Sequence, residues 1–151
     1  MGVDDARPAR AAASLARVVE LALADAGLSL AQYRLLAYLS RGSSAASPAA
    51  RDLSTSRPSV TALVDGVVAK GLVQRFPDPD DRRRITLVLT PLGFDVLDRA
   101  DAAAIARLAA VASYLPPADA SRALDGLPLW TDAVRAEAAA QSPVAPGGSR
   151  P

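Results

Sequence analysis

Residues 75–90, RFPDPDDRRRITLVLT, decide the fold of this chain. In 85–90, Ile, Leu and Leu alternate with Thr, Val and Thr, and this period of two is typical of a half-buried strand. Residues 73–76 predict a partner strand. Between the two, residues 77–79 (Pro-Asp-Pro) predict a turn, because proline fixes φ and cannot extend a ladder. The stretch therefore predicts a β-hairpin with three adjacent arginines, 82–84, at or near its tip.

The charges of this hairpin allow two interpretations. Three guanidinium groups on a short stalk suit the phosphates or the minor groove of DNA. Alternatively, Asp78, Asp80 and Asp81 neutralise the arginines, and the hairpin is only a solvated surface feature. The hairpin alone favours the second interpretation. Together with the residues that precede it, the hairpin favours the DNA-binding interpretation.

Three helices are predicted before the hairpin. Residues 29–32 (SLAQ) have the capping-box form and open the first helix, which ends at Gly42. Residues 47–53 form a very short second helix that Ser-Pro opens. The third helix runs over residues 57–70 with Ser56 as its cap, and its apolar residues recur at helical spacing on one face.

This order of helix, short helix, helix and basic hairpin is the layout of a winged helix-turn-helix. In such folds the second helix of the pair lies in the major groove with its N-terminal residues at the base edges. The predicted DNA-contacting residues are Ser56, Arg57, Pro58, Ser59, Thr61 and Ala62 at the start of the recognition helix and Arg82, Arg83 and Arg84 on the wing. Asp78 and Asp81 are expected to hold wing arginines in place.

Five segments resemble the MarR (multiple antibiotic resistance regulator) family of transcription factors. They are LAQYRLL at 30–36, SRPSVTALVD at 56–65, KGLVQR at 70–75, DPDDRR at 78–83 and LTPLG at 89–93. The resemblance is close over about residues 28–100. It implies a homodimer whose interface is built from helices at both chain ends, a pseudo-palindromic operator in double-stranded DNA, and a role as a repressor.

The expected fold is mainly α with a small β-hairpin wing. The flanking helices have more apolar surface than a lobe of this size needs, and dimerisation would bury it. An intramolecular bundle is the alternative, and the dimer is favoured mainly because the resemblance implies it. The predicted regions are a flexible N-terminus at 1–8, a helical dimerisation region at 9–27 and 92–140, a winged helix-turn-helix lobe at 28–91, and a disordered tail at 141–151. Pro128 is expected to kink or split the last helix.

Composition excludes several function classes. The 151 residues include neither cysteine nor histidine, so a thiol redox switch and the usual zinc sites are excluded. Neither a signal-peptide pattern nor an apolar run of about 18 residues is evident, so we expect a cytoplasmic chain without a membrane partner. Motifs for catalysis or cofactor binding are also absent, and we expect neither an enzyme nor a cofactor.

Net charge is only +1, but the basic residues are unevenly distributed. The cluster in or beside the predicted DNA lobe consists of Arg51, Arg57, Lys70, Arg75, Arg82, Arg83 and Arg84. This distribution is the electrostatic pattern that DNA binding requires, although surface charge often serves solubility alone.

The recognition helix departs from the resembled family at two positions. The family usually has basic or larger polar groups near 62 and 66, where this chain has Ala62 and Gly66. Alanine can contact a thymine methyl group but forms no hydrogen bond. The departure supports an alternative function, a winged-helix protein-interaction module that has lost specific operator binding.

The resemblance also implies an effector pocket between the DNA lobe and the dimerisation helices. A small phenolic or anionic effector would suit aromatic residues with polar tips and nearby arginines. The candidate pocket residues are Arg17, Tyr33, Arg34, Tyr38 and Trp130. Core packing is the favoured alternative for Tyr38 and Trp130, and solvent exposure is the alternative for the two arginines.

Overall fold

A computed structural model describes residues 6–42, 57–78 and 85–141, and it leaves out the side chains of 57–59 and 141. The fold is mainly α with a two-stranded antiparallel hairpin, as the sequence predicts. The elements are α1 (Arg7–Asp25), α2 (Leu30–Leu39), α3 (Arg57–Ala69), β1 (Val73–Pro77), β2 (Ile85–Leu89), α4 (Pro91–Ala112) and α5 (Pro117–Gln141). The chain divides into two compact units, Met1–Ala110 and Val111–Pro151.

The ends of α1 and α2 follow local sequence signals. α1 begins at Arg7, two residues before the predicted start, and proline in its first turn suits the unpaired N–H groups there. Residues 7 and 8 are therefore helical and do not belong to a flexible terminus. The capping box of α2 forms as predicted: Gln32 N–H donates to Ser29 Oγ, and Ser29 N–H donates to Gln32 Oε1, both at 3.2 Å. The predicted short helix at 47–53 and the cap at Ser56 lie outside the described residues.

The hairpin differs from the prediction at the end next to its loop. Pro77 is the last residue of β1 and pairs with Ile85, so it belongs to the ladder and not to the turn. Proline is tolerated at the end of an edge strand, where a missing N–H costs little. Leu87 and Leu89 are buried as their alternation predicts. Ile85 is 49% exposed, because the last pair of β1 and β2, the two strands that form the stalk of the wing, extends beyond the core.

A compact junction joins α3, the hairpin and α4. Gly71, at φ +71°, ends α3 and turns the chain into β1. Thr90 N–H donates to Leu72 O at 3.0 Å, and Thr90 Oγ1 donates to Gly71 O at 2.7 Å. The same hydroxyl accepts from Gly93 N–H at 3.0 Å, which caps α4. A Cβ on Gly93 would lie 2.1 Å from Leu72 O, so only glycine fits there.

The core of the first unit lies beneath the hairpin. α2 packs against α1, α3 and β2, and α3 packs against β1. Val96, Leu97 and Ala100 of α4 complete the same cluster. The largest fully buried side chains among the described residues are Leu23, Leu35, Leu36, Val67 and Val73. The interior therefore consists of leucine, valine and alanine, as the scarcity of aromatics implies.

The predicted helical region at 92–140 consists of two helices. The first of them, α4, ends at Ala112. α5 continues as one helix through Pro128, so this proline does not split it, and Gln141 is helical although the predicted tail begins there. Within the described part of the chain, none of the helices has both the length and the apolar character needed to cross a bilayer.

Candidate nucleic-acid interface

The outward face of α3 is small and weakly polar. Thr61, Ala62, Asp65 and Ala69 are exposed, whereas Val60, Val64 and Val67 on the opposite side are buried in the core. Residues four apart share a helix face, so Thr61 and Asp65 are neighbours on the exposed side. The predicted base-reading positions 61 and 62 are therefore on accessible surface of this helix.

The other predicted DNA-contacting residues are described in part or not at all. Residues 57–59 form the first turn of α3, and their side chains lie outside the description. Ser56, Asp81 and the wing arginines 82–84 lie outside the described residues altogether. Asp78, directly after β1, is half-buried. The structure thus brings together the helix and the stalk of the wing.

Gly66 does not belong to the outward face. It is half-buried, and a Cβ at this position would lie 3.3 Å from Nε2 of Gln32 on α2. That contact is tighter than most, so an added Cβ would require the Gln32 side chain to shift by a few tenths of an ångström. Gly66 therefore faces α2, and Ala62 is the departure that lies on the outward face of α3.

Asp65 and Arg75 join the recognition helix to the stalk of the wing. Arg75 Nη2 donates to Asp65 Oδ1 in a short charge-assisted hydrogen bond between α3 and β1. Both side chains are substantially exposed. Arg75 thereby neutralises the carboxylate on the outward face of α3. Arg75 is one of the cations in the basic cluster that the sequence predicts, and here it is engaged within the protein.

Lys70 is likewise engaged within the protein. Its Nζ donates to Gly27 O, just beyond α1, and to Gln32 Oε1 on α2, both at 2.8 Å. Gln32 Oε1 also accepts from Ser29 N–H in the capping box. Lys70 therefore ties the end of α3 to the connection between α1 and α2, and this role differs from the phosphate contact that charge clustering suggests.

The face of the hairpin opposite the core is partly apolar. Gln74 pairs with Val88 and Phe76 pairs with Thr86, and side chains of these alternate pairs share one face. Phe76 is 47% exposed and Val88 is 43% exposed. The stalk thus has one face in the core and one face with two accessible apolar groups.

The candidate pocket residues of the first unit lie in different environments. Tyr33 Oη donates a 2.5 Å hydrogen bond to Asp101 Oδ1 across α2 and α4. Burial, together with this hydrogen bond and the charge of Asp101, raises the pKa of Tyr33 to about 12, and Arg41 partly opposes the shift. Tyr38 is partly buried and packs against the core. Arg34 is exposed, and Arg17 is exposed and forms a 3.4 Å ion pair with Glu20.

Trp130 belongs to the second unit, and its environment matches neither a core nor a pocket within the single chain. It is 72% exposed on α5, where Leu129 and Val134 are also exposed. The favoured interpretation from sequence, ordinary core packing, is therefore wrong for Trp130. Large apolar groups that lie together on an exposed helix mark an interaction surface more often than a ligand site.

Sequence comparison adds an independent observation to this geometry. Residues 26–84, which include α2, α3 and β1, match the model of the MarR family. This segment of the chain is therefore similar to the MarR family. The match covers most of the DNA lobe and stops before β2, and a search of curated protein sequences finds no match.

Solved structures share this fold over most of the chain. The transcriptional repressor CouR, bound to a 23-mer DNA duplex, is 28% identical with a TM-score of 0.70, over 84% of this chain and 89% of that chain. RV1404 from Mycobacterium tuberculosis is 25% identical with a TM-score of 0.71, over 88% and 94%. Wild-type MarR from E. coli, at 19% identity, shares the fold with a TM-score of 0.74, over 87% and 96%.

Much of the MarR-like sequence signal has a structural origin in this chain. In the KGLVQR segment, Lys70 ties helix ends, Gly71 ends α3, and Arg75 pairs with Asp65. In the LTPLG segment, Thr90 and Gly93 form the junction with α4. Gly71, Thr90 and Gly93 thus form the junction through which the hairpin joins α3 and α4. Sequence reasoning identifies the motif but misses Asp101, which lies 68 residues from Tyr33 and has no local signal.

Proposed function

We propose that this chain is a DNA-binding transcriptional repressor that binds a pseudo-palindromic operator as a homodimer. The observation that carries the proposal is the exposed face of α3 beside the hairpin stalk, with the two elements joined by Asp65 and Arg75. Recognition helix and wing are the two parts with which a winged helix-turn-helix contacts DNA. The relative CouR, a repressor bound to a DNA duplex, supports the same function.

The DNA-contacting set of this proposal combines two regions. Arg57, Ser59 and Thr61 at the start of α3 would reach base edges, with Ser56, Pro58 and Ala62 beside them. The arginines at 82–84 would contact phosphates or the minor groove, held by Asp78 and Asp81. Because Lys70 and Arg75 are engaged within the protein, the charge-driven part of binding falls mainly on the arginines of these two regions.

Dimerisation would cover the apolar surface that each unit exposes. In the first unit, Leu21 of α1 and Ile105 of α4 are exposed. In the second unit, Leu129, Trp130 and Val134 are exposed along α5. A monomer that kept these groups in water would have an unusually apolar surface. A two-fold dimer would place two recognition helices about one helical turn of DNA, roughly 34 Å, apart.

A small phenolic effector would act on the polar end of Tyr33. The Asp101 carboxylate accepts the tyrosine hydroxyl, so a ligand with its own hydroxyl donor would compete for the same acceptor. An anionic ligand would instead need arginine, and Arg17 and Arg34 are the candidates. The proximity of Asp101 favours the phenolic class, because a second anion beside a carboxylate is repelled.

The decisive experiment is a mobility-shift assay with labelled DNA from upstream of the chain's own coding sequence. A shift that competitor DNA of random sequence removes only at large excess supports specific operator binding. Retarded migration that random DNA abolishes at equal concentration would reduce the function to non-specific binding. We infer no catalytic role, since the family and its structural neighbours are transcription regulators.

One observation favours a second function, a winged-helix module that binds another protein. Phe76 and Val88 are accessible apolar groups on one face of the hairpin, and Ala62 has no hydrogen-bonding group for a base. Substitution of Phe76 by Ser tests this alternative. If the chain is a DNA-binding repressor, Phe76→Ser should still bind DNA. The module is favoured if the original chain shifts no DNA fragment and Phe76→Ser loses a protein partner that co-purifies with the original chain.

A further inference from the structure

In the docking geometry of a winged helix-turn-helix, the exposed carboxylate of Asp65 would face the approaching DNA phosphates. It is exposed on the face of α3 that also presents Thr61 and Ala62. An unpaired anion at this place would repel the phosphates, and the chain supplies Arg75 from the neighbouring strand to neutralise it. Because this anion does not itself add to DNA affinity, any role in DNA binding must come from its effect on Arg75.

We propose that Asp65 is a positioning residue that withholds Arg75 from the DNA phosphates, and this inference rests on the DNA-binding function proposed above. Arg75 is partly exposed on the stalk of the wing, so its guanidinium is accessible to an incoming anion. Asp65 occupies one of its donors through a short charge-assisted bond. The pair thereby limits the affinity that depends on charge alone.

The competition favours Asp65 for a physical reason. The Asp65 carboxylate and the Arg75 guanidinium belong to one folded lobe, so the carboxylate is present at a high effective concentration. A phosphate must displace it and must also offset the entropy cost of ordering the long arginine side chain. The exposed pair contributes little to folding, because surface ion pairs are typically worth less than about 1 kcal/mol. Its removal should therefore leave the lobe folded.

Substitution of Asp65 by Asn tests the proposal with random duplex DNA. The released Arg75 is expected to add one phosphate contact, which steepens the log–log dependence of affinity on salt by about 0.9. A fourfold rise in salt would then reduce the affinity of the variant by about 3.5-fold more than it reduces that of the original chain. Thermal unfolding of the same samples verifies that the lobe stays folded.

Two further variants distinguish the effect of a released Arg75 from the effect of a change in net charge. Asp119→Asn is the matched control, since it removes the carboxylate partner of Arg122 on α5 and changes net charge equally. Asp65→Asn combined with Arg75→Gln restores the net charge and leaves no cation to release. The proposal expects the original salt slope in both.

The outcomes are distinct. A steeper slope in Asp65→Asn alone supports the proposal. An unchanged slope in Asp65→Asn, or an equal increase in the double variant or in Asp119→Asn, overturns it. Failure of the original chain to bind any duplex at low salt would instead overturn the proposed function itself, which is a separate result.

Discussion

The hydroxyl of Tyr33 donates a 2.5 Å hydrogen bond to the carboxylate of Asp101 and so links α2 of the DNA lobe to α4. The bond lies in a partly buried position. A substitution at either residue is therefore expected to affect both α2, which packs against α3, and α4.

The first prediction concerns the stability of this link. Tyr33→Phe should lower the free energy of unfolding by about 1–3 kcal/mol, because the Asp101 carboxylate loses its hydroxyl donor. Chemical denaturation near neutral pH measures the loss. Tyr114→Phe, which removes a hydroxyl from a highly exposed side chain, is the control and should change little.

The same residue predicts a pH dependence. The folded-state pKa of Tyr33 is about 12, above the ordinary value of 10.0, so the folded chain holds this proton more tightly than the unfolded chain. The stability that Tyr33 contributes should be complete below pH 10 and should be lost as pH rises towards 12. The difference in stability between the original chain and Tyr33→Phe should narrow over that window. A constant difference across it would contradict the assignment.

The second prediction concerns the junction between hairpin and α4. Gly93→Ala should destabilise the fold by about 3 kcal/mol, because the new Cβ would lie 2.1 Å from Leu72 O and the backbone must move. Gly126→Ala is the matched control, since Gly126 lies inside α5 with nothing near its missing Cβ. Alanine there should raise stability by up to about 1 kcal/mol. Melting temperatures of the two variants should therefore move in opposite directions.

The contrast between local and distant contacts explains which features the sequence can predict. The capping box at Ser29 and Gln32 depends on residues close in sequence, and it appears as predicted. The bonds of Lys70 to Gln32 and of Tyr33 to Asp101 join residues 38 and 68 positions apart, and only the folded chain brings them together. Periodicity predicts which face of a helix is buried but not which polar group it meets.

Charge and aromatic character are weaker guides for the same reason. Arg75 is close in sequence to the predicted DNA-binding arginines, so charge clustering predicts a similar role for it. Its partner Asp65 comes from a different element and is not predicted by sequence proximity. The size of Trp130 favours a place in the core or in a pocket, and this residue is largely exposed on α5. The burial of such residues depends on packing between elements, and in a dimer also on the partner.

The third prediction is that the chain is a homodimer. Sedimentation at micromolar concentration should give twice the chain mass of 15.5 kDa. Val134→Glu should shift the equilibrium towards monomer, because a carboxylate on the apolar side of α5 would be buried unpaired in the interface. Phe76→Glu adds the same charge to the hairpin and should leave the mass unchanged. A monomeric original chain would remove the basis for two half-sites.

The fourth prediction concerns the wing. Arg83→Ala should weaken binding to operator and random DNA by similar factors, since a phosphate or minor-groove contact carries little sequence information. The log–log salt slope should become shallower by about 0.9, because one phosphate is no longer neutralised by the protein. If Asp81 holds Arg83 in place, Asp81→Ala should weaken binding to the same extent. Unchanged affinity in both Arg82→Ala and Arg83→Ala would refute the wing as a DNA element.

The fifth prediction assigns base reading to the start of the recognition helix. Arg57 begins α3, at the end of the helix that winged helix-turn-helix folds direct towards base edges. Arg57→Ala should weaken operator binding by about 1–3 kcal/mol more than it weakens binding to random DNA, because alanine cannot form the bidentate hydrogen bonds of arginine to a base. Fluorescence anisotropy with the two duplexes at one salt concentration measures the difference. Arg107→Ala on α4, outside the predicted DNA-contacting set, is the charge-matched control. Equal losses on both duplexes would reassign Arg57 to a phosphate contact, and specificity would then depend on Thr61, Ser59 and the shape of the DNA.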